Sequence, residues 1–426
     1  MQYVNMTKEQ LKLELEKYNA EMNALKEKVL KLDLSRGKPS KEQLDLSMPM
    51  LNVINSRSVM DSENGVDCRN YGGLDGIPEA KRLLADMLST RSENVLVSDN
   101  SSLSLMFSLV SHGMLEGIMG ETPWYEVKNR KFLCPVPGYD RHFAITEHFG
   151  FELISVPMNE EGPDMDVVER LVSSDDSIKG IWCVPMYSNP TGIVFSDETV
   201  KRFAHLKPKA KDFRIFWDNA YCVHSLYPDD NVKFPDILEE CAKAGNADMV
   251  YEFCSTSKIS FPGDGISALA TSVANLIDVK NFMKFSTIGP DKLNQLRHAR
   301  YFKNLAGIKA HMAKHADIMR PKFEKVLEIL ARELEGTGIA SWTKPRGGYF
   351  LSFDTMNGCA AKVVALCKEA GVVFTGAGAT HPYGVDPEDK NIRIAPSFAT
   401  LDEIDTAASL FCLAVKIVSL EKLIAE

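Results

Sequence analysis

Three short runs hold residue types that can do chemistry together. Lys258 lies in Cys254-Ser255-Thr256-Ser257-Lys258-Ile259-Ser260-Phe261-Pro262-Gly263, just past the apolar run Met249–Phe253. An amine there serves as nucleophile or base once it sheds its proton, and the hydroxyls of Ser255, Thr256 and Ser257 offer an anion partner beside it. The plain alternative is a solvated surface charge. Asp218 follows Ile215-Phe216-Trp217 and precedes Asn219-Ala220-Tyr221. It reads either as a helix cap or turn residue, or as a carboxylate held against a ring nitrogen with Tyr221 in the same cleft. Asn189-Pro190-Thr191-Gly192 is by itself a turn signal, but it follows the apolar run Gly180–Pro185 and so places an amide at a third strand end.

The elements that must position these residues come from the hydrophobic pattern. Candidate strands are Val95–Val97, Phe132–Pro135, Glu152–Val156, Gly180–Pro185, Arg214–Trp217, Met249–Phe253 and Ala268–Thr271. Helical stretches alternate with them at Leu103–Glu116, Tyr139–Phe149, Met165–Val172, Asp197–His205 and Phe234–Ala244. The pattern predicts an α/β fold: a mostly parallel seven-stranded sheet covered by helices, with a smaller α+β domain. The smaller part begins with helical sequence over Asp291–Glu335, broken near Ala306–Gly307. A strand at Gly348–Phe353, a helix at Cys359–Ala370, a strand at Asn391–Ala395 and a helix at Asp402–Leu423 follow. The expected division is an N-terminal segment, 1–60, packing with the small domain; a large domain, 61–290; and a C-terminal small domain, 291–426. In an open parallel sheet ligands gather at the carboxyl ends of the strands, where the three runs fall.

Composition narrows the class. The chain has 426 residues and a formal net charge of -9, which argues against a nucleic-acid footprint. No apolar stretch approaches the roughly 18 residues that a membrane span needs. The nine cysteines form no CxxC pair, so neither a zinc site nor a disulfide framework is expected; no metal is expected, and the cytoplasm is the expected compartment. The first 22 residues read as an amphipathic helix, not a signal peptide.

Taken in order, Asn189-Pro190-Thr191-Gly192, Asp218-x-x-Tyr221 and Ser255-x-Ser257-Lys258 resemble the fold-type-I aminotransferases that depend on pyridoxal 5′-phosphate (PLP). The resemblance extends to Arg69-Asn70-Tyr71-Gly72-Gly73-Leu74-Asp75-Gly76, Pro345-Arg346-Gly347-Gly348-Tyr349-Phe350 and Asn391-Ile392-Arg393-Ile394. Ser35-Arg36-Gly37-Lys38-Pro39, Pro137-Gly138-Tyr139-Asp140-Arg141-His142 and Ile288-Gly289-Pro290-Asp291-Lys292 look closer to the MocR-like branch, some of whose members are aspartate aminotransferases. The resemblance implies that Lys258 forms the Schiff base and moves the Cα proton, and that Asp218 keeps the pyridinium nitrogen protonated. Asn189 and Tyr221 would bond the phenolic oxygen, and Tyr139 would stack on the ring. The phosphate would take the helix N-terminus at Asn100, Ser101 and Ser102, the hydroxyls of Ser255 and Ser257, and Tyr71 from the other subunit of a homodimer. Many relatives carry an arginine after the turn that follows the lysine; here Gly265 stands at that place.

By the same resemblance Arg393 would clamp the substrate α-carboxylate, and Gly37, the turn beside Arg36, would also belong to the substrate site. A second carboxylate needs a further cation, for which Arg141 is the first candidate and Arg36 and Arg297 the others. Amino transfer between L-aspartate or L-glutamate and 2-oxoglutarate or oxaloacetate, by a ping-pong mechanism, is the expected reaction. Aromatic amino acids or 2-aminoadipate are alternative substrates, and a PLP-dependent β-lyase or decarboxylase is an alternative chemistry. An effector-sensing domain of a MocR-type regulator is the non-enzymatic alternative; the stretch before Ser35 reads as too short for its DNA-binding module.

Overall fold

The computed structural model describes residues 2–230 and 232–426; residue 1, which opens the expected N-terminal segment, and residue 231 lie outside the described residues. The large sheet runs in spatial order Val95–Ser98, Ser267–Ala270, Val250–Ser255, Arg214–Asp218, Ile178–Cys183, Lys131–Val136, Glu152–Asn159 and the two-residue Gly162–Pro163. The five strands from Val250–Ser255 to Glu152–Asn159 pair in parallel, whereas Ser267–Ala270 runs antiparallel to both of its neighbours. Two antiparallel steps restore direction, so Val95–Ser98 also ends at the same edge as the parallel strands. All seven strands expected from the sequence are present. The eighth, Gly162–Pro163, only closes a hairpin on Glu152–Asn159.

The central strands read as unbroken apolar runs because both faces are covered. Every residue of Ile178–Cys183 and Arg214–Asp218 is buried. Their side chains alternate between two cores, with Ile181, Ile215 and Trp217 on one face and Trp182 and Phe216 on the other. Covering helices begin where the chain supplies a cap: Asp164, Ser196, Ser272 and Asp291 each accept from a first-turn N–H. Such a cap contributes about 1 kcal/mol.

A third core surrounds the antiparallel sheet Ala340–Trp342, Leu351–Thr355 and Asn391–Ile394. The helix Leu401–Ala425 closes it, and the helix Lys8–Lys26 packs along that helix, burying Leu11 and Met22 in the same core. The helical stretch from 291 breaks at Lys303–Asn304 and not at Ala306–Gly307, because the Asn304 side chain caps the next helix, Leu305–Leu334, on the Gly307 N–H. Gly348 turns with a positive φ of 80°, so the strand expected there starts later, at Leu351. Ala340–Trp342 and the parallel pair Leu32–Asp33 and Val372–Val373 are additional elements, too short to show a period.

One buried acid carries a measurable consequence. Glu252, 2% exposed on Val250–Ser255, accepts from Asn219 Nδ2 at 3.0 Å, and its second oxygen has no partner among the described residues. Burial, reinforced by Asp236, pushes its carboxyl up to about 8 from an ordinary 4.5. Between those values the folded state keeps a proton that the unfolded chain has released, so this group lowers stability as pH rises through that window. Glu252→Gln should therefore be more resistant to urea than wild type at pH 8.5, by on the order of a few kcal/mol, with the gap closing toward pH 4.5. Denaturant midpoints at the two pH values check this.

Candidate active site

The strand ends frame a cavity of about 540 Å³, within the roughly 300–1,000 Å³ usual for small-molecule sites. Strand direction explains the gathering. Asp218 ends its own strand, Lys258 lies three residues past Ser255, Asn189 six past Cys183, and Tyr139 three past Val136. Arg393 reaches the cavity from the small sheet, and Arg36 and Gly37 reach it from the N-terminal segment.

Asp218 is the electrostatic centre. It is 4% exposed; Oδ2 lies 2.9 Å from His142 Nε2, while Oδ1 is buried with no hydrogen-bond partner among the described residues. His142 is itself fixed, its ring stacked on Trp182 at 4.6 Å and 12°, and Trp182 Nε1 donates to Thr146 Oγ1. A buried carboxylate oxygen left bare is costly unless a cation or a donor meets it. Residue 142 had no role assigned from the sequence. The available signal was its spacing from Tyr139, which puts both on the first turn around the helix Asp140–His148.

Lys258 is half-buried on the cavity wall. Its Nζ lies 5.2 Å from the ring centre of Tyr221 and 5.7 Å from that of Tyr349, two rings that stack on each other. Burial lowers its pKa, Asp218 opposes that shift, and Arg393 adds to it. The result moves the amine toward the neutral form that a nucleophile or base requires. Burial also raises the Tyr221 phenol, and it pushes Tyr139 up to about 12, with Asp218 adding to the shift.

At the opposite end, Ser101 caps the 14-residue helix Ser102–Leu115 without a side-chain cap bond, so first-turn N–H groups face the cavity beside Ser102 and Leu103. Ser255 and Ser257 line it as well, in a relay in which Ser255 donates to Ser257 and Ser257 donates to the Asn100 carbonyl. Asn100 departs from expectation: its side chain turns away to the Pro262 carbonyl at 3.4 Å and does not line the cavity. Gly265 sits in close quarters: a Cβ there would lie 3.1 Å from Thr256 Oγ1 and 3.3 Å from the Ser257 nitrogen, so its neighbours would have to give by a few tenths of an ångström. Tyr71 does not line this chain's cavity and is 81% exposed.

Arg393 is 7% exposed and held from several sides. Nη1 donates to Asp140 Oδ1 at 2.8 Å and to Asn189 Oδ1 at 3.3 Å, and the guanidinium lies 4.8 Å over the Phe350 ring. Arg36 and Arg141 stand exposed on the cavity rim, and neither forms a salt bridge among the described residues. Arg297 is not a rim cation: it pairs with Asp264 and Asn294, away from the cavity.

The model of the family described as aspartate amino-transferase matches residues 6–426. The chain belongs to that family. It is 48% identical over 384 residues to an aspartate aminotransferase of Corynebacterium glutamicum, covering 90% of this chain and 88% of that one. It is also similar to the crystal structure of an aspartate transaminase from Corynebacterium glutamicum, with 44% identity, TM-score 0.97 and 99% of each chain covered. The fold recurs at 19% identity in an α-aminoadipate aminotransferase from Thermus thermophilus, with TM-score 0.74 and 92% and 93% of the two chains covered. This enzyme is a transaminase, and no helix among its described residues is long and apolar enough to cross a membrane.

Gly37 passes close to the ring beneath Arg393. A Cβ there would lie 2.4 Å from Phe350 Cζ, in the ring on which Arg393 rests. Gly37→Val should displace that ring and the Arg393 guanidinium resting on it, and lower kcat/KM by about tenfold or more, since small misplacements of a side chain in a reacting cavity have effects of that size. Steady-state kinetics beside an unchanged melting temperature check it.

Proposed function

We propose that this aminotransferase uses PLP bound to Lys258 to move amino groups between L-aspartate or L-glutamate and 2-oxoglutarate or oxaloacetate in a ping-pong cycle. The single observation that carries the reading is the buried Oδ1 of Asp218, without a hydrogen-bond partner among the described residues, on a residue that lines the same cavity as Lys258. A protonated ring nitrogen is the donor that this oxygen lacks. The structural relative from Thermus thermophilus carries N-(5′-phosphopyridoxyl)-L-leucine, in keeping with such a group.

When bound, the cofactor supplies an electrophilic carbon and a ring that withdraws negative charge from the substrate Cα. Everything else falls to the chain. Asp218 holds the ring nitrogen protonated, and His142 holds Asp218 in place. Asn189 and Tyr221 bond the phenolic oxygen, and Tyr139 covers a ring face. First-turn N–H groups at Ser101 and Ser102, with the hydroxyls of Ser255 and Ser257, take the phosphate. Once free, the Lys258 amine removes the proton from the substrate Cα and returns it to the carbon on the far side of the substrate nitrogen, a 1,3 shift. Arg393 binds the α-carboxylate, which competes with Asp140 for Nη1.

The rim cations support a dicarboxylic substrate. Arg141 and Arg36 are charged, exposed and without carboxylate partners, so the second carboxylate of aspartate meets them without displacing an existing ion pair. We also propose that the enzyme works in the cytoplasm as a homodimer in which the exposed Tyr71 reaches the phosphate of the neighbouring active site.

Incubation of the purified enzyme with L-aspartate and 2-oxoglutarate should yield oxaloacetate and glutamate in equal amounts; release of ammonia or CO₂ without amino transfer would contradict the reading. Lys258→Ala should lose both turnover and the visible absorbance of lysine-bound cofactor. Arg141→Ala should raise KM for aspartate by about tenfold, roughly the 1.4 kcal/mol of one charge-assisted contact, and leave KM for alanine nearly unchanged.

A further inference from the structure

We infer that Gln43 is a positioning residue for Lys258, because one buried amide steadies both the ring beneath the amine and the carbonyl next to it in the chain. This rests on Lys258 being the working amine proposed above. Gln43 is fully buried on the five-residue helix Lys41–Asp45, far from Lys258 in sequence.

Donor accounting fixes its orientation. The Ser40 N–H donates to Gln43 Oε1 at 3.0 Å, half of a capping box, so the amide cannot be flipped without losing that bond. Nε2 must then point inward with two hydrogens. It lies 3.0 Å from the Tyr349 phenolic oxygen and 3.1 Å from His315 Nδ1, so both hydrogens are used.

Each bond leads to Lys258. The Tyr349 ring lies under the amine at 5.7 Å and stacks on Tyr221, which lies under it at 5.2 Å. On the other branch, burial pushes His315 down to about 3, so its ring is neutral. An Nδ1 that accepts from Gln43 leaves the proton of that neutral ring on Nε2. His311 Nε2 donates to the Ile259 carbonyl at 2.9 Å, and the His315 Nε2–H packs 3.2 Å from that nitrogen without a bond between them. Ser47 Oγ joins the same group, 3.2 Å from His311 Nε2. Ile259 follows Lys258 directly, so the loop closes: amine, ring, amide, two imidazoles, carbonyl, amine. A hydrocarbon at position 43 would free the Tyr349 ring and the His315 tautomer together.

The test uses the full-length enzyme loaded with PLP as wild type, Gln43→Met, Tyr349→Phe and the double variant. Visible circular dichroism of the lysine-bound cofactor, normalised to its absorbance, reports orientation without turnover; kcat and KM for L-aspartate report the chemistry. Gln43→Met should change the normalised signal and lower kcat about tenfold, with KM altered less than about threefold. Because the two residues share one path, adding Tyr349→Phe to it should lower kcat less than twofold further, by the logic of coupled sites. An unchanged signal and kcat in Gln43→Met, or effects that multiply in the double variant, would overturn the inference. Should Gln43→Met fail to fold, Tyr349→Phe keeps the ring and removes only the acceptor, and an unchanged signal there overturns it equally. A wild type without lysine-bound cofactor would instead sink the functional reading itself.

Discussion

A carboxylate buried with one oxygen paired and the other bare is the constraint around which this molecule is arranged. Removing such an ion from water costs several kcal/mol even after relaxation. His142, braced by Trp182, answers only the Oδ2 side of Asp218. Oδ1 is buried without a hydrogen-bond partner among the described residues, on a residue that lines the cavity, and a buried carboxylate oxygen in that position calls for a donor. Lys258 and Arg393 stand on the same cavity and bring positive charge near it, yet neither bonds to it.

The sheet makes that arrangement possible. Five parallel strands, flanked by two antiparallel steps, deliver Asp218, Asn189, Tyr139, Lys258 and the N-terminus of the helix Ser102–Leu115 to a single edge. Unbroken burial of the central strands keeps those ends rigid, which matters because the distances that count here are tenths of an ångström. The small sheet and the N-terminal segment add further lining, with Arg393 seated on the Phe350 ring and Gly37 passing so close to that ring that a side chain there would have to displace it.

Much of this was legible in the sequence. The seven strands could be read because fully buried parallel strands are long apolar runs bounded by turn residues, and Lys258, Asp218 and Asn189 stand just after three of them. Arg393 was legible only through its motif, since an arginine in a strand has no intrinsic signature. The pairings were hidden. Nothing in the chain says that His142 meets Asp218, that Asp140 holds Arg393, or that Asn100 turns its amide to Pro262 instead of the cavity. Gln43 and its histidines were equally invisible, because contacts more than 200 residues apart leave no local pattern.

The most direct test of the account is the protonation state of the ring nitrogen that Asp218 is held to meet. PLP labelled with ¹⁵N in the ring, bound to the full-length enzyme, reports this by its nitrogen chemical shift. A pyridinium-like shift in wild type that moves to the free-pyridine range in Asp218→Asn is the predicted result. A free-pyridine shift already in the wild type would contradict it.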